Sequence, residues 1–260
     1  MRVLTLNLWG TRGDWNGRRG VLRRGLEMLE PDLVAFQEAV LTDAYDQARD
    51  LLGSTFHIAH QRERERDGQG ISIGSRWPPT RIHEVDLNVS ERTADFACGA
   101  LVAELETPSG PTVFANHLPS WQLDFERERE LQAVAAARFL ERFGREWHVV
   151  VAGDFDADPA AASVRFWTGR QSLEGTSTCY RDAWESHHAT ETGPTFTREN
   201  PLVADWDWPF RRIDHILVRC GEHGGPTLRI DACERIFEEP IDGVWASDHF
   251  GVVADLSVPA

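Results

Sequence analysis

The stretch Trp147 to Phe155, WHVVVAGDF, limits what this chain can fold into more than any other. Val149, Val150, Val151 and Ala152 suit a buried strand, and Gly153 then lets the backbone turn sharply. Asp154 and Asp156 follow at alternate positions, with Asp158 beyond. In layered α/β proteins the carboxyl ends of strands carry the chemistry. Two hard, anionic side chains there suit magnesium or another oxygen-seeking cation better than a soft metal. They equally suit an Asx turn, in which an aspartate bonds nearby backbone N–H groups. The rest of the chain decides between these readings.

The pattern of an apolar strand followed by a polar residue recurs. Val3 to Leu8 reads as a first strand with Asn7 near its end, where its amide can serve a metal or a phosphate oxygen. A glycine- and arginine-rich connection leads to Val21, Leu22, Leu26 and Leu29, a one-faced helix stopped by Pro31. Leu33 to Gln37 is a second buried strand and delivers Glu38. Thr42 suits the cap of a helix carrying Ala44, Tyr45, Ala48, Leu51 and Leu52. Strands are expected at Phe56–Ala59, Gly70–Ser75, Ile82–Leu87, Cys98–Glu106 and Thr112–Ala115, the last leading to Asn116 and His117. The charge run RERERDG reads as a solvated loop, and Trp77–Pro78–Pro79 as a break. Between Leu123 and Phe143 the apolar spacing predicts a long amphipathic helix, and Ala160 to Trp167 a short one. Residues 169–198 look irregular apart from an extended piece at Tyr180–Trp184. Closing strands are expected at Arg212–Val218, Leu228–Glu234 and Phe250–Leu256. With no repeat at a fixed offset and no Gly/Ser linker, residues 1–260 read as one α/β domain.

Composition bounds the partners. The 260 residues carry a formal charge of −15, and every basic residue is an arginine. Such a charge repels long polyanions, so stable binding of duplex DNA is not expected. A bound divalent cation would reverse the sign locally, which leaves a catalytic encounter open. Cys98, Cys179, Cys220 and Cys233 match neither a zinc ribbon nor a CxxC pair and read as small buried side chains. No stretch has the length of a membrane span, and the opening MRVLTLNLWG lacks the pattern of a leader. A soluble, cytoplasmic monomer is the expectation.

The stretches LTLNLWG, DLVAFQEA, GQGISIGSR, NHLPS, VVAGDFDADP, RRIDHILV and SDHFGVVADL, in this order, cover nearly the whole chain. Together they resemble the endonuclease/exonuclease/phosphatase superfamily, the pancreatic-deoxyribonuclease-like phosphoesterases. The resemblance implies a four-layered α/β sandwich, two mixed β-sheets face to face with helices outside. It also implies a phosphoesterase dependent on Mg2+ or Mn2+. It gives Glu38 a metal-ligand role with Asn7 assisting, and places Asp248 at the metal side. His117 matches a histidine that contacts the scissile phosphate, and Asp154 the aspartate that orients or deprotonates the attacking water. Asp214 matches the acidic partner of His249, and Arg92 a phosphate-contacting arginine.

The chemistry accounts for the same residue types independently. A phosphodiester is anionic and repels hydroxide, so a cation must neutralise it, a carboxylate must take a proton from water, and a positive imidazole must sit near the phosphate. One position departs from the family pattern: Asp156 stands where asparagine is usual. An ionised aspartate there would repel phosphate, so Asp156 is either protonated or binds a metal. Trp121, Trp206 and Trp208 suit contact with a base, a sugar or an apolar headgroup, or they pin a loop to the core. Nucleic acid, small phosphoesters and phospholipid headgroups stay open as substrates, and so does a non-catalytic binding protein on the same fold.

Overall fold

Alternation along the strands sets the layering, because each central strand is apolar on both faces. The computed structural model describes residues 1–259. In β1 (Arg2–Asn7) Val3 points to one cluster while Leu4 and Leu6 point to another. In β2 (Leu33–Val40) Leu33 and Ala35 oppose Val34 and Phe36 in the same way. In β7 (Gly110–Leu118) and β8 (His148–Asp154), Phe114, Val150 and Ala152 share the first cluster with β1 and β2. Val113, Ala115, Val149 and Val151 face a third. The first cluster is thus the interface between two sheets.

One six-stranded sheet has the order β11 (Arg229–Ile236), β12 (Gly251–Ser257), β1, β2, β4 (Gln69–Ser75), β3 (His57–His60). The other runs β5 (Pro79–Asp86), β6 (Gly99–Thr107), β7, β8, β10 (Asp214–Arg219), β9 (Tyr180–Asp182). Only β1/β2 and β7/β8 pair in parallel, so both sheets are mixed. Helices α1 (Trp15–Leu29) and α2 (Gln47–Leu52) cover the first sheet with Val21, Leu22, Leu26 and Leu51. Helices α3 (Glu126–Leu140) and α4 (Ala162–Trp167) cover the second with Val134, Ala137, Val164 and Trp167. This is the four-layered α/β sandwich expected from the resemblance.

The two parallel pairs end alike. Asn7 lies opposite Gln37, with Glu38 next; His117 lies opposite Gly153, with Asp154 next. Each pair therefore delivers its polar residues to the same edge of its sheet.

Several local expectations change. Thr42 caps a turn through the N–H groups of Ala44 and Tyr45, and the helix starts only at Gln47, capped by Asp46. The break after β4 ends at Pro78, and Pro79 already opens β5, an edge strand where its missing N–H costs no ladder bond. The extended piece at Tyr180 stops at Asp182, whose carboxylate caps a further helix, α5 (Ala183–His187). All four cysteines are free, but only Cys98 and Cys233 are buried; Cys179 is exposed and Cys220 half-buried. Among the described residues no helix is long and apolar enough to cross a membrane.

Candidate active site

The first half of the site is built by an irregularity in β2. Its register with β4 shifts between Phe36 and Ala39, and Glu38 within that bulge has φ +50°. A non-glycine residue in this region is strained and persists only where its surroundings fix it. Asn116, buried between the sheets, supplies the fixing. Its Nδ2 donates to the Phe36 carbonyl at 2.8 Å and to that of Ser72 at 3.0 Å, and its Oδ1 accepts from Gln37 Nε2 at 2.7 Å. The Glu38 carboxylate turns into the cleft, where Asn7 Nδ2 donates to Oε1 at 3.2 Å and Arg12 Nη1 to Oε2 at 2.7 Å. Asp248 is buried beside them. Ser247 Oγ sits 2.7 Å from the Asn7 carbonyl and 3.1 Å from Asp248 Oδ1. Burial pushes the Asp248 carboxyl up to about 6, with Glu38 adding to the rise.

The second half comes from β8 and β10. A Cβ on Gly153 would lie 2.0 Å from the His117 carbonyl, so only glycine lets β7 and β8 approach here. Asp154 and Asp214 are direct cross-strand partners. His249 bridges them: Nδ1 lies 2.9 Å from Asp214 Oδ2, and Nε2 3.9 Å from Asp154 Oδ2. Burial opposes protonation of His249, but the carboxylates of Asp214 and Asp154 outweigh it and hold the imidazolium well above the ordinary histidine range. Burial, then Asp214, pushes Asp154 up to about 7. Asn7 joins the halves, donating 3.0 Å to Asp154 Oδ2 as well as to Glu38.

Asp154 plays both roles open to it, since its Oδ1 accepts from the Asp156 N–H at 3.0 Å in an Asx turn while Oδ2 faces the cleft network. Asp156 has φ +51° and lines the cleft. Burial, then Asp154, pushes its carboxyl well above the usual range, with Arg129 and His249 opposing. The turn at Pro159 is capped by Asp158, which accepts from Ala160 N–H at 2.8 Å. Behind the turn, the buried His215 holds the Ala157 carbonyl through Nε2 at 3.0 Å, while Arg212 donates to His215 Nδ1 at 2.9 Å and to Asp182 at 2.8 Å. His215 is therefore a brace.

These groups open on a cleft of about 1080 Å³. Trp121, Trp206 and Trp208 line it, Trp121 and Trp208 with ring centroids 6.2 Å apart. Trp208 also packs with Phe196 and Ile213, and Trp206 lies against Phe196 at 6.0 Å, so the loop is pinned to the core and still offers rings to the cleft. Two placements differ from expectation. His117 lies edge-on to Phe155 and Trp167 beneath the floor, and burial pushes it down to about 3, so it is neutral. Arg92 does not line the cleft: it pairs with Asp124 at 2.7 Å and Glu128 at 3.0 Å, over the Phe125 ring. Two groups were not singled out by sequence. Asn116 had no signal beyond its place before His117, and Arg12 was only part of a glycine- and arginine-rich connection.

The donor chemistry fits a divalent cation. Among the described residues, Asp154, Asp214 and His249 each bring a ligand atom within 4.8 Å of the others, an arrangement consistent with a divalent-metal site. Asp214 Oδ1 is buried without a partner, and the raised Asp154 and Asp248 show carboxylates short of positive charge. Glu38 and Asp248, the cation ligands expected from the resemblance, lie across Asn7 from this cluster.

A D. rerio TDP2, solved with a single-strand DNA product, superposes with TM-score 0.79 at 20% identity, covering 99% of both chains. The human Nocturnin catalytic domain with bound sulfate gives 0.75 at 17% identity over 100% of this chain and 94% of that one. At such identities the likeness concerns the fold. A Drosophila melanogaster protein provisionally named a neutral sphingomyelinase is 25% identical over 281 residues, covering 99% of this chain; the chain spans 61% of that protein's length. A buried Asp/Asp/His cluster on this fold supports divalent-metal-dependent phosphoester hydrolysis. The model of the Endonuclease/Exonuclease/phosphatase family matches residues 4–249, and the chain belongs to that family.

Proposed function

We propose that this protein hydrolyses phosphodiesters with Mg2+ or Mn2+, and that Asp154 and His249 act as a paired base and cation. The observation that carries the reading is their geometry: a carboxylate raised to about 7 faces an imidazolium at 3.9 Å, with Asp214 behind it. Glu38 and Asp248, with Asn7, would hold the cation, because magnesium prefers an all-oxygen set and His249 is already engaged by Asp214. When bound, the cation neutralises the phosphate and the charge that builds on the leaving oxygen.

The side chains supply the rest. Ionised Asp154 takes a proton from the attacking water, and a pKa near 7 suits a base working at neutral pH. Asn7 fixes its Oδ2 by donating the 3.0 Å bond. His249, kept positive by Asp214, steadies negative charge on a phosphoryl oxygen. Protonated Asp156 donates its O–H to another such oxygen, doing what an asparagine amide would do. His117, neutral beneath the floor, brings no charge to the phosphate.

The walls bear on substrate. Outside the reacting centre the cleft mixes aromatic rings with the carboxylates of Glu65, Asp67 and Asp95, which disfavours a long polyanion. A small or headgroup-type phosphodiester is supported by this balance and by the name of the D. melanogaster relative. The Trp121–Trp208 pair favours a second reading, a short single strand stacked through its bases. Steady-state hydrolysis of bis-p-nitrophenyl phosphate, phospholipid and sphingolipid headgroup esters, single-stranded oligonucleotides and duplex DNA, each with Mg2+ or Mn2+, tests this. The headgroup or simple diester is expected to be turned over and duplex DNA poorly. Preferred cleavage of oligonucleotides would establish the second reading, and no hydrolysis of any phosphoester would leave a binding protein.

A further inference from the structure

Arg12 is held in a way that a surface arginine is not. Its backbone belongs to a tight loop in which Trp9, Gly10 and Gly13 all have positive φ, at 54°, 48° and 65°. The loop is clamped from below by the buried Arg18, whose guanidinium donates to the carbonyls of Leu8, Gly10, Arg12 and Ala246. Gln47 Nε2 adds a bond to the Gly10 carbonyl at 2.8 Å. The Arg12 side chain leaves this rigid base into the cleft and ends on Glu38 at 2.7 Å, while remaining half exposed. Among the described residues only one other arginine, Arg66, lines the cleft, so carboxylates heavily outnumber guanidinium groups there.

From this arrangement we infer that Arg12 has two alternate partners: the Glu38 carboxylate when no divalent cation is bound, and a phosphoryl oxygen of the substrate when one is. This rests on the proposed phosphodiesterase reading and adds a phosphate-binding residue to it. Glu38 cannot serve a cation fully and keep its bond to Arg12, because a divalent ion placed on the carboxylate repels the guanidinium. An exposed ion pair is weak and is readily exchanged. The guanidinium, once released, hangs from a fixed loop in an anionic cleft, and its planar fork matches a phosphate. Arg12 therefore opposes metal binding in the free protein and strengthens substrate binding in the loaded one. A merely structural ion pair would oppose the metal but would not strengthen substrate binding.

The test separates these two effects. Mn2+ is titrated calorimetrically into metal-stripped wild type, Arg12→Gln and Arg12→Lys without substrate, and KM and kcat for bis-p-nitrophenyl phosphate are measured at saturating Mn2+. Arg12→Gln should bind Mn2+ about two- to fivefold more tightly, the range of an exposed pair removed, yet show a KM raised about ten- to a hundredfold, as for loss of a charged hydrogen bond. Arg12→Lys keeps the competing charge but not the fork, so its Mn2+ affinity should stay near wild type while KM remains raised. In an Glu38→Gln background, Arg12→Gln should no longer tighten Mn2+ binding. Unchanged or weaker Mn2+ binding by Arg12→Gln, or an unchanged KM, would overturn the inference while leaving the metal-dependent reading intact. Wild type that binds no Mn2+ would overturn both.

Discussion

At the residue scale the site depends on a division of labour between two aspartates two positions apart. On the proposed mechanism Asp154 must lose its proton to act, and Asp156 must keep its own. Replacing Asp154 by asparagine should lower kcat by about 10²–10⁴-fold and abolish the acid limb of the pH–rate profile, which in wild type should fall at or below pH 7 because a bound cation lowers the free-protein value. Asp156→Asn should fold, remain active and flatten the alkaline limb, since the amide donates at every pH. Stopped-flow pH–rate profiles of the three proteins check this, and superimposable curves for wild type and Asp156→Asn would show that Asp156 does not donate to substrate. The residue types at this site were legible in the sequence, because Asn7, Glu38 and Asp154 stand at or near the ends of apolar strands, while Asp214, Asp248 and His249 stand at or just before the start of others. Their states were not. Which aspartate is protonated depends on burial and on cross-strand neighbours such as Asp214, and a linear chain displays neither. Arg92 was misplaced for the same reason: an arginine beside a strand says nothing of Asp124 and Glu128, which hold it elsewhere.

At the scale of elements, the strands were easier to read than the joints between them. Apolar runs such as Val149–Ala152 mark buried strands whatever surrounds them. The bulge that aims Glu38 leaves no such mark, because the residue that fixes it, Asn116, lies 80 positions from the Phe36 carbonyl it bonds. Asn116→Ala should therefore damage structure and site together. Two buried carbonyls and the Gln37 amide would lose a partner, each worth about 1–3 kcal/mol when left unsatisfied. A lower Tm by calorimetry is expected, together with weaker Mn2+ binding as Glu38 loses its support. A variant destabilised but with unchanged metal affinity would show that Glu38 is aimed by its own backbone and not by Asn116. The helix expected from Thr42 starts later for a related reason: Thr42 satisfies a turn locally, and Asp46 is the cap. Helix α5 was hidden because Asp182 both ends a strand and caps the next helix within a polar stretch.

At the scale of the whole molecule, two sheets of like order bring the ends of their parallel pairs to one cleft, and this concentrates buried carboxylates. The concentration has a thermodynamic sign. Asp154 at about 7 and Asp248 at about 6 lie above the ordinary carboxylate value near 3.8. Their contribution to stability is thus fully present below pH 4 and is lost as the pH rises through 6 and 7. Raised His249 acts in the same direction at higher pH. Metal-stripped protein should melt lower at pH 8 than at pH 5.5, and added Mn2+ should raise Tm more at pH 8; equal melting at both pH values would contradict the raised carboxyls. On the proposed reading a cation supplies the counter-charge that this cleft lacks, and the chemistry rests on it. The most direct measurement is the rate of bis-p-nitrophenyl phosphate hydrolysis by chelator-stripped protein, before and after Mg2+ or Mn2+ is restored, with His249→Ala in parallel. The account predicts no significant turnover without the cation, full recovery on its return, and a His249→Ala rate about 10²–10⁴-fold lower at saturating metal. Full activity of the stripped protein, or an undiminished His249→Ala rate, would contradict it.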